Sequence, residues 1–115
     1  MLKPKIITLR NEREYKCIDL DKLHYICIDD YLCNFYLEKN CKFTCTKSLT
    51  ELEHLLPGNF YRINRNCIVN IYAIDSICNR NRTIILSNNA EFTISYRRQR
   101  QLNILLTNHN TSLTS

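Results

Sequence analysis

The stretch from Phe60 to Asn70 reads Phe-Tyr-Arg-Ile-Asn-Arg-Asn-Cys-Ile-Val-Asn, with aromatic and β-branched residues on both sides of a polar centre. Such residues favour extended backbone, so the two ends of the stretch predict two strands. Asn64, Arg65 and Asn66 lie between these ends and have the polar side chains typical of a turn. The stretch therefore predicts a hairpin that displays an arginine between two asparagines.

The rest of the chain also predicts short strands and little helix. Each apolar run is too short for a stable helix and is followed by polar residues that favour turns. We expect strands at Lys5–Leu9, Tyr15–Asp19, Tyr25–Ile28, Cys33–Leu37, Lys42–Thr46, Tyr61–Ile63, Ile68–Asn70, Ala73–Cys78, Thr83–Leu86 and Glu91–Ile94. Asn88-Asn89 lies where a two-residue hairpin turn needs positive φ, which asparagine tolerates well.

Two segments instead predict helices. Ser48 and Glu51 have the spacing of a capping box, and four leucines then follow at helical spacing before Pro57-Gly58 ends the helix: Leu49, Leu52, Leu55 and Leu56. A terminal helix is expected after Ser95, its predicted N-cap, with an apolar face formed by Leu102, Leu105 and Leu106. We expect one domain over residues 1–106 and a flexible tail over residues 107–115.

Composition predicts the cellular location of the protein and the redox state of its cysteines. No apolar run reaches the length of a membrane span, and the amino terminus lacks the features of a signal peptide, so a cytoplasmic protein without membrane contact is expected. The seven cysteines are odd in number and include no Cys-x-x-Cys pair. All seven are therefore predicted to be free thiols.

The excess of positive over negative charge comes entirely from the second half of the chain. The net charge is +5, and residues 1–57 contribute nothing to it, with nine basic and nine acidic side chains. Residues 58–115 contain seven arginines, no lysine and two acidic residues. Because the planar guanidinium suits phosphates and base edges, this bias favours a nucleic-acid partner, although compositional drift would give the same counts.

The chain carries little that predicts an enzyme or a metal site. His24, two cysteines and the adjacent Asp29 and Asp30 provide reactive groups, but adjacent carboxylates on a strand point to opposite faces. Cys41 and Cys45 would lie about 13 Å apart on a strand, which is too far to share a metal ion. A single glycine cannot build a phosphate-binding loop. We therefore expect no catalytic site, metal or cofactor.

Four segments together resemble the LytTR family of bacterial DNA-binding domains. The central stretch is similar to the family pattern F-F-R-I-H-R-S-Y-I-V-N. Asp21 to Tyr31 is similar to D-I-L-Y-I-E-A-x-G-N-Y, and Ser48 to Pro57 to S-L-x-x-L-E-x-x-L-P. Leu86 to Arg97 is similar to L-S-N-G-x-x-I-P-V-S-R-R. The four motifs occur in the family's order and cover roughly residues 5–106.

The resemblance implies a mainly β, elongated domain of small antiparallel sheets, with a short central helix and a short C-terminal helix. It also implies a transcriptional regulator that binds duplex DNA sequence-specifically through loops. Such regulators are usually the output domains of two-component response regulators, and bind paired direct repeats as dimers. A receiver domain or a histidine-kinase pathway is thus an expected partner. Asn64, Asn66, Cys67 and Cys27 depart from the family's residues, which puts the preferred DNA sequence in doubt.

The resemblance also assigns roles to individual residues. The positions expected to contact bases are Arg65, Arg97, Asn34 and Cys33. The positions expected to contact the DNA backbone are Tyr31, Asn64, Asn66, Arg98 and Arg100. Arg62 lies on the same face of the predicted strand as Asn64, so a salt bridge or a strand-edge role is as plausible for it as a phosphate contact.

Two alternative functions remain open at this stage. A domain that binds single-stranded RNA would use an exposed aromatic platform, and Tyr31, Phe35 and Tyr36 could supply one. A protein-interaction domain would instead present an apolar patch, and its binding would be indifferent to salt.

Overall fold

The structure, a computed structural model, describes residues 5–109. The chain divides into two compact units, Met1–Ala73 and Ile74–Ser115. Both units are built from antiparallel strands with one helix each. The expectation of a mainly β fold with small antiparallel sheets and two helices is therefore confirmed.

The first unit contains a separate hairpin, a five-stranded sheet and one helix. The hairpin pairs β1 (Ile6–Arg10) with β2 (Tyr15–Asp19). The sheet has the order β5-β4-β3-β7-β6. Its strands are β3 (Leu23–Asp29), β4 (Leu32–Leu37), β5 (Cys41–Cys45), β6 (Phe60–Asn64) and β7 (Cys67–Asn70), and α1 (Leu49–Leu55) lies between β5 and β6 in the chain.

One apolar core joins the parts of the first unit. Ile7, Ile18, Phe35 and Leu52 represent the hairpin, the sheet and the helix in this core, and each is less than a tenth exposed. Alternation along each strand sends every second side chain inward, so the hairpin and α1 cover the apolar face of the sheet. Burial of these side chains is the main source of stability in this unit.

The predicted capping box begins α1. The Ser48 hydroxyl accepts a hydrogen bond from the Glu51 N–H at 3.0 Å, and a Glu51 carboxylate oxygen accepts one from the Ser48 N–H at 3.1 Å. These bonds lower the pKa of the Glu51 carboxyl. Of the predicted apolar face, Leu55 is an exception: it is exposed, because the seven-residue helix turns only its other leucines toward the sheet.

The second unit is a three-stranded sheet with a terminal helix. Its strands are β8 (Ile74–Cys78), β9 (Thr83–Leu86) and β10 (Glu91–Thr93), in the order β10-β9-β8, and α2 spans Tyr96–His109. Ser95 caps α2 as predicted, because its hydroxyl accepts a hydrogen bond from the Arg98 N–H at 3.3 Å. Neither helix in the described part of the chain is long and apolar enough to cross a membrane.

The end of α2 differs from the expectation. The helix continues through Thr107 to His109, where a flexible tail was predicted, and residues 110–115 lie outside the described residues. Leu102 is buried, whereas Leu105 and Leu106 are half-buried.

Strand positions follow the sequence closely, with small differences. β2 and β9 match their predicted bounds, and the other strands differ by one or two residues at one or both ends. Two short 3-10 turns, Leu20–Lys22 and Ile71–Ala73, were not predicted. At the β9–β10 turn only Asn89 has positive φ, at 71°, while the Asn88 side chain accepts a hydrogen bond from the Ala90 N–H.

The prediction of seven free thiols is wrong. Cys27 and Cys67 form a disulfide between β3 and β7, and the other five cysteines are free. The two residues are direct partners in the β3–β7 register, with Cα atoms 4.3 Å apart, which is within bonding reach of both sulfurs. Of the free cysteines, Cys17, Cys41 and Cys78 are exposed, and Cys33 and Cys45 are buried.

The disulfide predicts a specific thiol count. Titration of the denatured protein without reductant should find five reactive thiols, and seven after reduction. Because the bond closes a loop of 40 residues, reduction should lower the free energy of unfolding by up to about 4 kcal/mol in the chain-entropy estimate. The Cys27→Ala variant is the control for the effect of reduction, because reductant should no longer change its stability. Seven reactive thiols before reduction would contradict this pairing.

Candidate nucleic-acid interface

The turn between β6 and β7 displays an arginine on a well-held backbone. Arg65 and Asn66 are exposed, whereas Asn64 is half-buried. The Asn64 side-chain oxygen accepts a hydrogen bond from the Asn66 N–H at 2.8 Å, as in an Asx turn. The Asn66 carbonyl in turn accepts one from the Ile28 N–H on β3, also at 2.8 Å. The backbone of this turn is thus fixed to the sheet, while the Arg65 side chain stays accessible.

Arg62 clamps the same turn by hydrogen bonds to its backbone carbonyls. Its guanidinium donates to the carbonyl oxygen of Asn64 at 3.3 Å and to that of Arg65 at 2.7 Å. It also pairs with the Glu53 carboxylate of α1 at 2.9 Å. The salt bridge, one of the roles left open for Arg62, is therefore present, and Arg62 supports the turn in addition.

A second turn lies at the same end of the five-stranded sheet. β3 and β4 are joined by Asp30 and Tyr31, where Asp30 has a φ of 57° and Tyr31 is 74% exposed. The register pairs Cys27 with Cys67, so the β3–β4 and β6–β7 turns project from one edge. We call this edge the turn edge. The two turns are two strand spacings apart, about 10 Å.

Cys33 and Asn34 lie behind the turn edge rather than on it. Cys33 is fully buried, and burial raises the pKa of its thiol to about 12, so the group stays protonated at neutral pH. Asn34 is also buried, and its side-chain oxygen accepts a hydrogen bond from the Thr44 hydroxyl at 2.6 Å. In this conformation, burial weighs against the expected contacts of these two side chains with bases.

The aromatic residues considered for a single-stranded RNA platform do not share a surface. Phe35 is fully buried, because alternation along β4 places it on the core face. Tyr36 stacks on Tyr25 with ring centroids 4.4 Å apart. Of the three residues that suggested a platform, only Tyr31 is largely exposed. The structure therefore lacks the three-ring platform that this alternative required.

The remaining predicted residues lie in the first turns of α2, in the second unit. Arg97 and Arg100 are exposed, and Arg98 is half-buried. Gln99 holds this part of the helix to the β8–β9 turn by donating to the Asn79 side-chain oxygen at 2.6 Å. No acidic residue occupies the first turn. Cations near a helix N-terminus oppose the helix dipole, so an anionic ligand would stabilise this end.

Several arginines keep their donors available. Within residues 5–109, the side chains of Arg65, Arg97 and Arg100 make no ion pair or hydrogen bond.

Sequence reasoning missed the role of Glu53 and the hydrogen bonds of Arg62 to the turn. The position of Arg62 on the same strand face as Asn64 was the one available signal. It identified the face on which Arg62 lies but not the partners of its guanidinium.

Exposed arginine and asparagine side chains on tight turns are groups that proteins use for contacts with phosphates and base edges. The sequence profile of the LytTr DNA-binding domain matches residues 13–107, and the chain belongs to this family. Its structure is similar to the LytTr DNA-binding domain of a protein from Bacillus cereus described as a methyl-accepting/DNA response regulator. The TM-score is 0.76 and the identity is 25%, covering 90% of this chain and 97% of that one. No curated protein sequence matches significantly.

The clamp by Arg62 predicts a local effect of substitution. Arg62→Lys should lower the free energy of unfolding by about 1 to 2 kcal/mol, because one ammonium cannot reach all three acceptors. The Asn66 amide should also exchange its hydrogen faster. Arg82→Lys is the matched control, since the Arg82 guanidinium donates to the Ile94 carbonyl in the second unit. Unchanged exchange at Asn66 in Arg62→Lys would show that the clamp does not hold the turn.

Proposed function

We propose that this domain binds duplex DNA in a sequence-specific manner and is the DNA-contacting part of a bacterial transcriptional regulator. One observation carries the proposal. The turn edge presents Arg65 with free donors on a backbone that Arg62, Asn64 and Ile28 hold in place. A rigid turn with a free guanidinium suits a bidentate contact with guanine in the major groove.

The roles of the individual residues follow from exposure and bonding. Arg65 and Arg97 are proposed to contact base edges, because both are exposed and their donors are free. Contacts with backbone phosphates are assigned to Tyr31, Asn64, Asn66, Arg98 and Arg100. Cys33 and Asn34 are proposed to support the β3–β4 turn from behind, because both are buried.

The biological setting is also a proposal. The Bacillus cereus protein is described as a response regulator, which supports the output domain of a two-component system as the role of this chain. Binding of two copies to paired direct repeats in promoters, in the cytoplasm, is consistent with that role. A receiver domain or a histidine-kinase pathway would then supply the signal. A stand-alone regulator is the alternative arrangement.

Binding should depend strongly on salt. Release of counterions from about five neutralised phosphates gives a log-log slope of binding constant against salt of about −4 to −5. Equilibrium titrations of a labelled duplex at four or more salt concentrations measure this slope, and a single strand of the same sequence is the control. A slope near zero, or preference for the single strand, would contradict the proposal.

Base-contacting and phosphate-contacting arginines should respond differently to substitution. Arg65→Ala and Arg97→Ala should each weaken binding to the preferred site by about 1 to 3 kcal/mol and relax selectivity at one or two base pairs. Arg100→Ala, which lies on the same helix as Arg97, should weaken binding almost equally for all sequences. A panel of duplexes with single base-pair changes, tested at one salt concentration, measures the difference.

The control for this comparison is the melting temperature of each variant, which should match that of the unmodified domain because all three side chains are exposed. Equal losses for Arg65→Ala and Arg97→Ala on every duplex would show that these residues contact phosphates only. Base recognition would then have to reside in Asn64 or Asn66.

A further inference from the structure

A cleft of about 800 Å³ lies beside the turn edge, between the sheet and the tip of the β1–β2 hairpin. Arg10, Glu12 and Arg13 line it from the hairpin, and Tyr31 and Thr46 line it from the sheet. All of these residues belong to the first unit. Tyr31 thus lies both on the turn edge and in the wall of this cleft.

The hairpin tip is held rigidly against the sheet by one side chain. The Asn11 amide donates to the Thr44 carbonyl of β5 at 2.9 Å. The Asn11 side-chain oxygen accepts hydrogen bonds from the Arg13 N–H at 2.9 Å and the Glu14 N–H at 3.0 Å. The backbone of Arg13 is therefore fixed before any ligand arrives, and the cleft does not depend on a mobile loop.

The cleft has the chemistry of an anion site. Arg10 and Arg13 are both exposed, and in the described chain neither guanidinium makes an ion pair or a hydrogen bond. Glu12 is the one acidic side chain among the lining residues, so the guanidinium groups outnumber it. The hydroxyls of Tyr31 and Thr46 add neutral donors. Arginines with hydroxyl donors beside them suit a phosphate oxygen.

The position of the cleft along the turn edge favours a phosphate of the duplex backbone as its ligand. β5 borders the sheet on the side of the hairpin, and the β6–β7 turn lies at the other side. Three and a half strand spacings separate them, roughly 17 Å. At a rise of 3.4 Å, this distance corresponds to about five base pairs. A duplex that contacts Arg65 and lies along the turn edge would therefore pass the hairpin tip.

We propose that Arg10 and Arg13 together hold one backbone phosphate of the duplex, about five base pairs from the bases contacted by Arg65. This inference rests on the proposed function and adds the β1–β2 hairpin as a further DNA-contacting segment. The charge distribution of the sequence does not indicate this role of the hairpin, because the first half of the chain is neutral overall. The contact fixes the register of the domain on DNA and carries no base preference.

A charge-matched pair of double variants tests the proposal. Arg10→Gln combined with Arg13→Gln removes two positive charges from the cleft. Lys22→Gln combined with Lys39→Gln removes two exposed charges from the opposite end of the same sheet, where the Glu38 N–H donates to the Lys22 carbonyl. In titrations of the preferred duplex, the cleft variant should bind about tenfold more weakly, with a salt slope smaller by about one unit. The control should keep its slope within about half a unit.

Shortening the duplex provides an independent measurement. Removing about five base pairs from the flank that faces the hairpin should weaken binding of the unmodified domain by about the same tenfold factor. The cleft variant should not respond to this removal, and its selectivity among single base-pair changes should be unchanged. Duplexes shortened at each end separately identify the flank.

Three outcomes would overturn the inference. Equal affinity and equal salt slope of the cleft variant and the lysine control would mean that only net charge matters. If inorganic phosphate raises the melting temperature of the unmodified domain but not of the cleft variant, and both bind the duplex equally, the cleft holds a free phosphate. Failure of the unmodified domain to bind any duplex would refute the proposed function itself. Equal melting temperatures of the variants confirm that folding is intact.

Discussion

The pairing of β7 with β3 is the constraint on which the first unit depends. It places Ile26 opposite Ile68, both fully buried, at the centre of the sheet. A slip of one residue would turn Ile68 toward the opposite face and displace the β6–β7 turn along the sheet. The same register sets the disulfide between Cys27 and Cys67 and brings the two exposed turns to one edge. Core packing and presentation of Arg65 are therefore consequences of one strand alignment.

The arginines divide into those that support the structure and those that remain available. Arg62 and Arg82 donate to backbone carbonyls. Arg65, by contrast, lies on a turn in which the carbonyls of Asn64 and Arg65 already accept hydrogen bonds from Arg62. A supported turn loses little conformational entropy when it binds, so more of the contact energy contributes to affinity. The Glu53 carboxylate completes this arrangement by holding Arg62 from α1.

Much of the fold could be predicted from the sequence because its signals are local. The capping box of Ser48 and Glu51 specifies the start of α1 within four residues, and β-branched runs mark the strands. The disulfide could not be predicted, because Cys27 and Cys67 are 40 residues apart and meet only through the sheet order. Motif position suggested Asn34 as a base contact, but Asn34 is buried on β4 and its side-chain oxygen accepts a hydrogen bond from the Thr44 hydroxyl. The clamp by Arg62 likewise depends on a carboxylate from another element.

Duplex DNA is proposed to bind at the edge formed by the β3–β4 and β6–β7 turns. Nuclear magnetic resonance of isotope-labelled protein, titrated with a duplex that carries the preferred site, can locate the bound surface. The largest amide shifts in the first unit should occur at Asp30, Tyr31, Arg65 and Asn66. The β4–β5 turn at Lys39 and Asn40, at the opposite end of the sheet, should shift little. Largest shifts at Lys39 and Asn40, with Arg65 and Asn66 unchanged, would show that DNA does not bind at the turn edge.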